Sequence, residues 1–500
     1  MSELAVQDGA ETTEAPVRRR RAPRALVALI GASLLLAFAW AFISPPFQAP
    51  DENAHFGYTQ TLAETGSLPG KETKPAFSTE QVQAGSASNS DQAAAQRSVK
   101  MTWDQQAYDR WLTDDEKLGT KGREDGGGLN PASSNPPLYY VFEALPYLAT
   151  KGSDLFTRLL AMRLVSALWL AVTILGAWLL AGEVFHRDRL LQLTTASLVG
   201  LAPMMSFVSS AVTPDSMLFA AWSLALWLGV RILRRGVTAP SALALFALTG
   251  VAIVIKASSY ALLPPALFVV VVGLVRRGGW QPAVLARVGA AVAAGLAATV
   301  GVWFVLAAAL SRPAAAQVSA ASSTSGGADP REFVSYVWQF YLPRLPFMDD
   351  FRSVAHTIPV YDIWFKGVWG SFGWTEVLFR NRIYLLLLLV TVAVVVLAAI
   401  ELWKTRAGSD WAIGAFLALA AVALLGGLHW SEYNLLTGGA SNFNQGRYLL
   451  PLAGIAGLVL AFAVRRLSPA RRSIAVGVVL GGLMVLQLAS LSLVLTRFYA

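Results

Sequence analysis

The chain has 500 residues, of which 55% are hydrophobic and 14% charged, with a formal net charge of +9 and 0 Cys. Soluble domains carry nearer ~25% charged residues, so this composition belongs to a polytopic membrane protein and length is no guide to soluble-domain count. The lack of cysteine excludes disulfides, thiolate metal sites and a cysteine nucleophile.

Residues 1–24 read as a disordered basic tail, polar at first and then carrying Arg18–Arg21 and Arg24. The apolar run Ala25–Ile43 follows. At about 19 residues it exceeds the ~7–15-residue core of a signal peptide, so it is expected to be a retained first span with its N-terminus in the cytoplasm. Residues 25–500 are then expected to form one transmembrane domain with outer loops at 44–154, 311–380 and 429–447. Within the first loop, Pro50–Thr65 predicts a short helix ending at Gly66. Phe77–Gln96 reads as a flexible crossing and Trp103–Lys117 as an interfacial helix. After Gly126–Gly128 comes Asn135-Pro136-Pro137-Leu138-Tyr139-Tyr140, whose tyrosines suit a membrane boundary.

Apolar runs of roughly 17–25 residues place further spans near Leu159–Phe185, Leu190–Val212, Asp215–Leu233, Ala239–Ile255, Tyr260–Val275, Leu285–Leu310, Ile383–Trp403, Ala412–Leu428, Tyr448–Val464 and Ile474–Leu495. The expected fold is therefore all-α and polytopic, with about 11 transmembrane helices and interfacial helices in the long outer loops. The connections His186–Arg189, Arg231–Arg235, Arg276–Arg277, Lys404–Arg406 and Arg465–Arg472 are all basic. A cytoplasmic N-terminus puts every one of them inside, as the positive-inside rule requires, and puts the C-terminus outside. The second outer loop opens with the Ser/Ala/Gly stretch Ala314–Ala328 and then turns aromatic, which suits a segment lying on the membrane surface. There is no Gly-rich nucleotide fingerprint, so an activated group would come ready-made, and no nucleic-acid partner is expected.

That topology gathers unusual polar residues on the outer face. Asp51, Glu52 and His55 end the first span, Asp215 starts the fourth, Lys256 ends the fifth, and Asn444-Gln445-Gly446-Arg447-Tyr448 opens the tenth. With Pro50 before them, both acids are expected in the first turn of a helix, where its dipole favours their ionised forms. Asp51 suits a general base for a hydroxyl. Glu52 suits an orienting acid that lifts the Asp51 pKa, a ligand with Asp51 for Mg²⁺ or Mn²⁺, or a plain helix-start acid. His55 suits a partner of Asp51, an acceptor contact, or an ordinary interfacial histidine. Arg447 suits a phosphate clamp or a snorkelling arginine, and Gly446 beside it allows close backbone approach. Lys256 suits a second positive charge for that phosphate or a span-end lysine. Asp215 is expected to hold the start of its own helix.

These residues fall in stretches that resemble a known family. Pro45-Pro46-Phe47-Gln48-Ala49-Pro50-Asp51-Glu52-Asn53-Ala54-His55-Phe56 is similar to the opening motif of the bacterial DUF2142 membrane proteins, which group with the GT-C glycosyltransferases. Asn135 to Tyr140, Pro203 to Asp215, and Asn444 to Pro451 resemble its later motifs in order and spacing. Thr213-Pro214 departs from it, standing where the family often has Asn or Tyr. The resemblance implies a GT-C-like fold. It implies transfer of a sugar from a polyprenyl-phosphate donor to an acceptor hydroxyl of a cell-envelope glycan or lipid, outside the bacterial cell membrane and with inversion. It gives Asp51 the leading role as base or metal ligand and Glu52 a supporting one. Arg447 and Lys256 are expected on the donor phosphate, and His55, Gln445, Tyr448, Tyr139 and Tyr140 as substrate contacts. The rival expectations are a transporter or flippase of lipid-linked glycans, and a non-catalytic scaffold for envelope assembly among membrane lipids.

Overall fold

The computed structural model describes residues 23–101, 104–278, 280–314, 329–348, 358–405, 410–438 and 444–500. All but the end of the expected tail 1–24, Trp103, Arg406 and nearly all of the stretch 314–328 lie outside them.

The chain runs through α1 (Arg24–Ile43), α2 (Glu52–Thr65), α3 (Thr79–Ala87), α4 (Ser90–Ala95), α5 (Gln105–Leu118), α6 (Lys121–Glu124) and α7 (Leu138–Ala149). The membrane body follows with α8 (Leu155–Val184), α9 (Arg189–Leu201), α10 (Pro203–Ser209), α11 (Asp215–Arg235), α12 (Ala239–Ile255), α13 (Ala257–Arg276) and α14 (Pro282–Ala309). After α15 (Pro330–Tyr341) and α16 (Lys366–Gly370), a two-stranded antiparallel hairpin pairs β1 (Ser371–Phe372) with β2 (Val377–Leu378). The last four helices are α17 (Asn381–Thr405), α18 (Trp411–Thr437), α19 (Gly446–Arg465) and α20 (Pro469–Phe498).

The protein is a predominantly helical, polytopic membrane protein. Among the described residues 9 helices are long and apolar enough to cross a membrane. The expected count of eleven is corrected in two places. The span expected at Leu190–Val212 is the pair α9 and α10, bent by 56°, because Pro203 cannot continue the helical ladder and its ring pushes Ala202 to an extended conformation. Helix α12 has 17 residues and falls short of the others. The crossing expected to be flexible at Phe77–Gln96 holds α3 and α4 instead. Ser78 caps α3 by accepting from the Gln81 N–H, and the buried Glu80 carboxylate ties that helix to Arg158 at the start of α8, with Gln60 (2.6 Å) and Arg123 (3.0 Å) as further donors. Two buried charges that satisfy one another in this way fasten the outer layer to the membrane body.

Helix α8 is the central post, packed against α1, α9 and α11. Its face toward α11 is opened by Gly176, where a Cβ would lie 2.5 Å from Ser223 Oγ. Close backbone approach through small residues is how helices associate in lipid, where no hydrophobic force drives them together. Trp40 donates to Gln487 (2.9 Å), which donates to Ser206 (2.6 Å), so one hydrogen-bonded chain joins α1, α20 and α10.

Candidate functional site

Helix α2 starts at Glu52, two residues after the expected start at Pro50, because Asp51 takes the left-handed conformation with φ +64°. Aspartate is among the few residues that enter this region at modest cost. The consequence is that Asp51 and Glu52 do not share the first turn of one helix, and their carboxylates face different partners.

Glu52 points inward. Its Oε1 accepts from Arg163 Nε (2.8 Å) and Val212 N (3.1 Å), and its Oε2 from Arg163 Nη2 (2.6 Å) and Phe47 N (3.1 Å). Arg163 spends its remaining N–H groups on the carbonyls of Ala41, Ser44 and Pro45. This buried knot fixes the end of α1, the turn of the opening motif, the start of α2 and the strand of chain before α11. Each oxygen of Glu52 already accepts two bonds, which leaves no lone pair for a cation. The expected Asp51–Glu52 metal pair does not fit this donor set, and no group of three His, Asp or Glu able to hold a metal occurs among the described residues. Glu52 is thus enclosed by Arg163 and by backbone N–H groups, apart from the partners of Asp51. Arg163 escapes a sequence reading focused on span ends; its signal is a lone charge inside the apolar run that follows Leu159.

Asp51 points outward. It pairs with Nη2 of Arg447, whose Nη1 donates to the Pro50 carbonyl (2.9 Å). The same guanidinium lies 3.8 Å from Asp215, which also binds Lys256 Nζ at 2.6 Å. Lys256 and Arg447 both stand over the ring of Tyr448, at 4.8 and 5.2 Å from its centre. Two acids and two bases thus alternate in one neutral cluster, drawn from the first loop, α11, the α12–α13 junction and α19. The side chain of Asp51 is 32% exposed and that of Lys256 23%, whereas Arg447 and Asp215 are buried at 4% and 3%. The cluster opens to solvent on its Asp51 and Lys256 side. Burial pushes the Asp51 carboxyl upward, but the Arg447 and Lys256 charges outweigh it and hold it below the ordinary carboxylate value. Asp215, read from sequence as a helix start, also bridges the two cations.

Arg447 is placed by two glycines. A Cβ on Gly446 would lie 2.3 Å from the Gly367 carbonyl carbon, so the backbones of the α19 start and α16 touch. Just upstream, the Asn444 amide donates to buried Glu432, which also accepts from Tyr336 (2.6 Å). Trp374, in the β1–β2 turn, donates to the Phe47 carbonyl (3.1 Å) and brings the second outer loop to the opening motif. Gln445 is half-buried, its main-chain carbonyl accepts from Tyr448 N (3.1 Å), and its side-chain Oε1 has no hydrogen-bond partner among the described residues.

His55 lies beneath Asp51 and meets Tyr140 through Nδ1 at 2.9 Å. Asn135 donates to the same Tyr140 oxygen (2.6 Å), so the hydroxyl joins His55 to the Asn135–Tyr140 motif. Burial, with Lys256 and Arg447 nearby, pushes His55 down to about 4, so it is neutral at physiological pH. Tyr58 stacks on Tyr140 at 3.6 Å between ring centres. Tyr139 is not part of this array: it turns into the core and meets Ser166 (2.8 Å).

Residues 34–456 match the family model described as "Predicted membrane protein (DUF2142)". The chain belongs to this family. No curated protein matches it. Among solved structures this DUF2142 protein is similar to ArnT from Cupriavidus metallidurans in the apo state (14% identity, TM-score 0.45, covering 90% of this chain and 61% of that one). It is similar also to the same protein bound to undecaprenyl phosphate (15%, TM-score 0.43, 90% and 62%). A third is the apo oligosaccharyltransferase of Archaeoglobus fulgidus (13%, TM-score 0.47, 93% and 56%). The chain thus spans less than two thirds of the length of these solved proteins.

Proposed function

We propose that this DUF2142 protein is a GT-C-type glycosyltransferase that moves a sugar from a polyprenyl-phosphate donor to an acceptor hydroxyl on the extracytoplasmic face. The observation that carries the reading is the shared guanidinium: the exposed carboxylate of Asp51 and the buried one of Asp215 both lean on Arg447, with Lys256 alongside. In the resting cluster Asp51 is ionised and paired, and therefore a weak base. A donor phosphate reaching Lys256 and Arg447 competes with Asp51 for the guanidinium fork, which matches phosphate geometry. Once the phosphate holds Arg447, Asp51 loses its main counter-charge, its pKa rises, and it becomes a better base for the acceptor. The acceptor oxygen then forms its bond to the anomeric carbon while the bond from that carbon to the phosphate oxygen breaks. The hydroxyl proton goes to Asp51, and the polyprenyl phosphate leaves with its charge stabilised by Arg447 and Lys256. His55, Tyr140 and Tyr448 border the acid and the cations and are the proposed substrate contacts; Gln445, beside Arg447, joins them.

The test is transfer from a panel of polyprenyl-phosphate sugars by the purified protein. Asp51→Asn is expected to lower transfer about 10²–10⁴-fold with membrane insertion unchanged, and Arg447→Ala to weaken donor binding. Unimpaired transfer by Asp51→Asn would sink the assignment of the base, and a protein that moves intact lipid-linked sugar across vesicles without transferring it would favour the transporter instead.

A further inference from the structure

The end of the bundle away from Asp51 carries a second concentration of charge. Helix α11 runs 21 residues from Asp215 to Arg235, so its two ends are about 30 Å apart. At the far end a cleft of ≈ 410 Å³ is lined by Leu233, Arg234, Arg235, Arg276, Arg277 and Asp410. Two of these arginines are matched by acids: Arg276 grips Asp410 with both Nη atoms (2.8 and 2.5 Å), and Arg235 meets Glu183 (2.8 Å). The other two are not. Arg234 has no direct ion pair among the described residues: it meets the His186 ring (2.9 Å) and the Val184 carbonyl (3.3 Å), and shares the field of Asp410 with Arg276. Arg277 has no counter-charge among the described residues; it lies across the backbone of Gly236, where a Cβ would come within 2.5 Å of its Nε. The cleft therefore presents four guanidinium groups against the single carboxylate of Asp410, with Arg277 outside any ion pair among the described residues.

Its position says what kind of anion reaches it. The cleft sits where α11, α13 and α18 leave their apolar stretches. Leu267, Val271 and Val275 form an exposed row at four-residue spacing along α13, leading up to Arg276. Trp411, 67% exposed at the start of α18, packs edge-on against Phe268 and has the amphipathic ring that favours the headgroup level. A ligand with a phosphate at the arginines and acyl chains along that row satisfies both features at once.

We infer that this cleft binds the phosphate of an anionic phospholipid, a site separate from the Asp51 cluster and independent of the function proposed for it. The test is native mass spectrometry of the full-length protein after exchange into equal amounts of phosphatidylglycerol and phosphatidylcholine. The wild-type protein is expected to retain the anionic lipid on the order of tenfold more than the zwitterionic one, since each basic residue near a membrane surface attracts such lipids. Arg234→Gln with Arg277→Gln is expected to abolish that preference, while Arg466→Gln with Arg471→Gln, which removes the same charge from exposed positions off the cleft, leaves it. Arg277→Gln alone is a second variant that breaks no ion pair and is expected to lose part of the preference with an unchanged melting temperature. No preference in the wild type, or equal loss in both double variants, overturns the site. Displacement of the lipid by millimolar inorganic phosphate would overturn the lipid assignment and make it a site for soluble phosphate.

Discussion

A single backbone angle separates the roles of Asp51 and Glu52. Because Asp51 sits at φ +64°, its carboxylate leaves the helix start and reaches Arg447, while Glu52, one residue on, turns to Arg163. His55 extends this residue-scale reading to pH. Its folded pKa of about 4 lies below its ordinary 6.5, so between those values the unfolded chain takes up a proton that the folded chain refuses. Stability from this group is therefore full above pH 6.5 and falls as the pH drops toward 4, by about 2 kcal/mol at pH 5. Asp51 does not blur the window, because a carboxylate held below its ordinary value loses its contribution only below about pH 4. His55→Gln is expected to show a shallower loss of denaturation midpoint between pH 7.5 and pH 5 than the wild type. Parallel losses in the two proteins would mean that His55 is not held neutral.

At the scale of elements, the contact between α16 and the start of α19 decides where Arg447 points. A methyl group on Gly446 meets Gly367 and Val368 backbone atoms at 2.3–2.6 Å, and no rotamer relieves a clash with main chain. Gly446→Ala is expected to cost about 1–3 kcal/mol and to weaken donor binding as Arg447→Ala does. Gly482→Ala, whose added methyl meets nothing within 4 Å, is expected to be neutral or to stabilise its helix by up to about 1 kcal/mol. Equal melting temperatures for Gly446→Ala and Gly482→Ala would deny the close contact. Hydropathy made most of this architecture legible, because a helix in lipid must satisfy its own backbone and so declares itself by a long apolar run. It missed the bend at Pro203 and the helices α3 and α4, whose stability comes from one cap and from Glu80 buried against Arg158 rather than from any run. The convergence of Asp51, Lys256 and Arg447 was legible from topology, since span ends on one side must meet. The divergence of Glu52 was not, because it depends on the Asp51 backbone and on Arg163, 111 residues away. Nor was the turn of Tyr139 into the core, which rests on Ser166.

Across the whole molecule, charge is sorted by end. The basic connections expected on one side are tied to neighbouring helix ends there: Arg231 and Arg235 to Glu183, Arg276 to Asp410, Arg465 to Glu401 (3.6 Å), and Arg472 to Asp188 (3.8 Å). The opposite end holds the neutral cluster of Asp51, Asp215, Lys256 and Arg447. By the positive-inside rule, an excess of arginine at one end and a balanced site at the other are expected to put the arginines in the cytoplasm and Asp51 outside. The chain has 0 Cys, so a single introduced cysteine reports its own side. Thr73→Cys, exposed in the loop between α2 and α3, is expected to react with a membrane-impermeant maleimide on intact cells. Ser468→Cys, exposed between α19 and α20, is expected to react only after the cells are permeabilised. The reverse pattern would put the Asp51 cluster in the cytoplasm and remove the basis for transfer on the outer face, while leaving the ion-paired cluster itself intact.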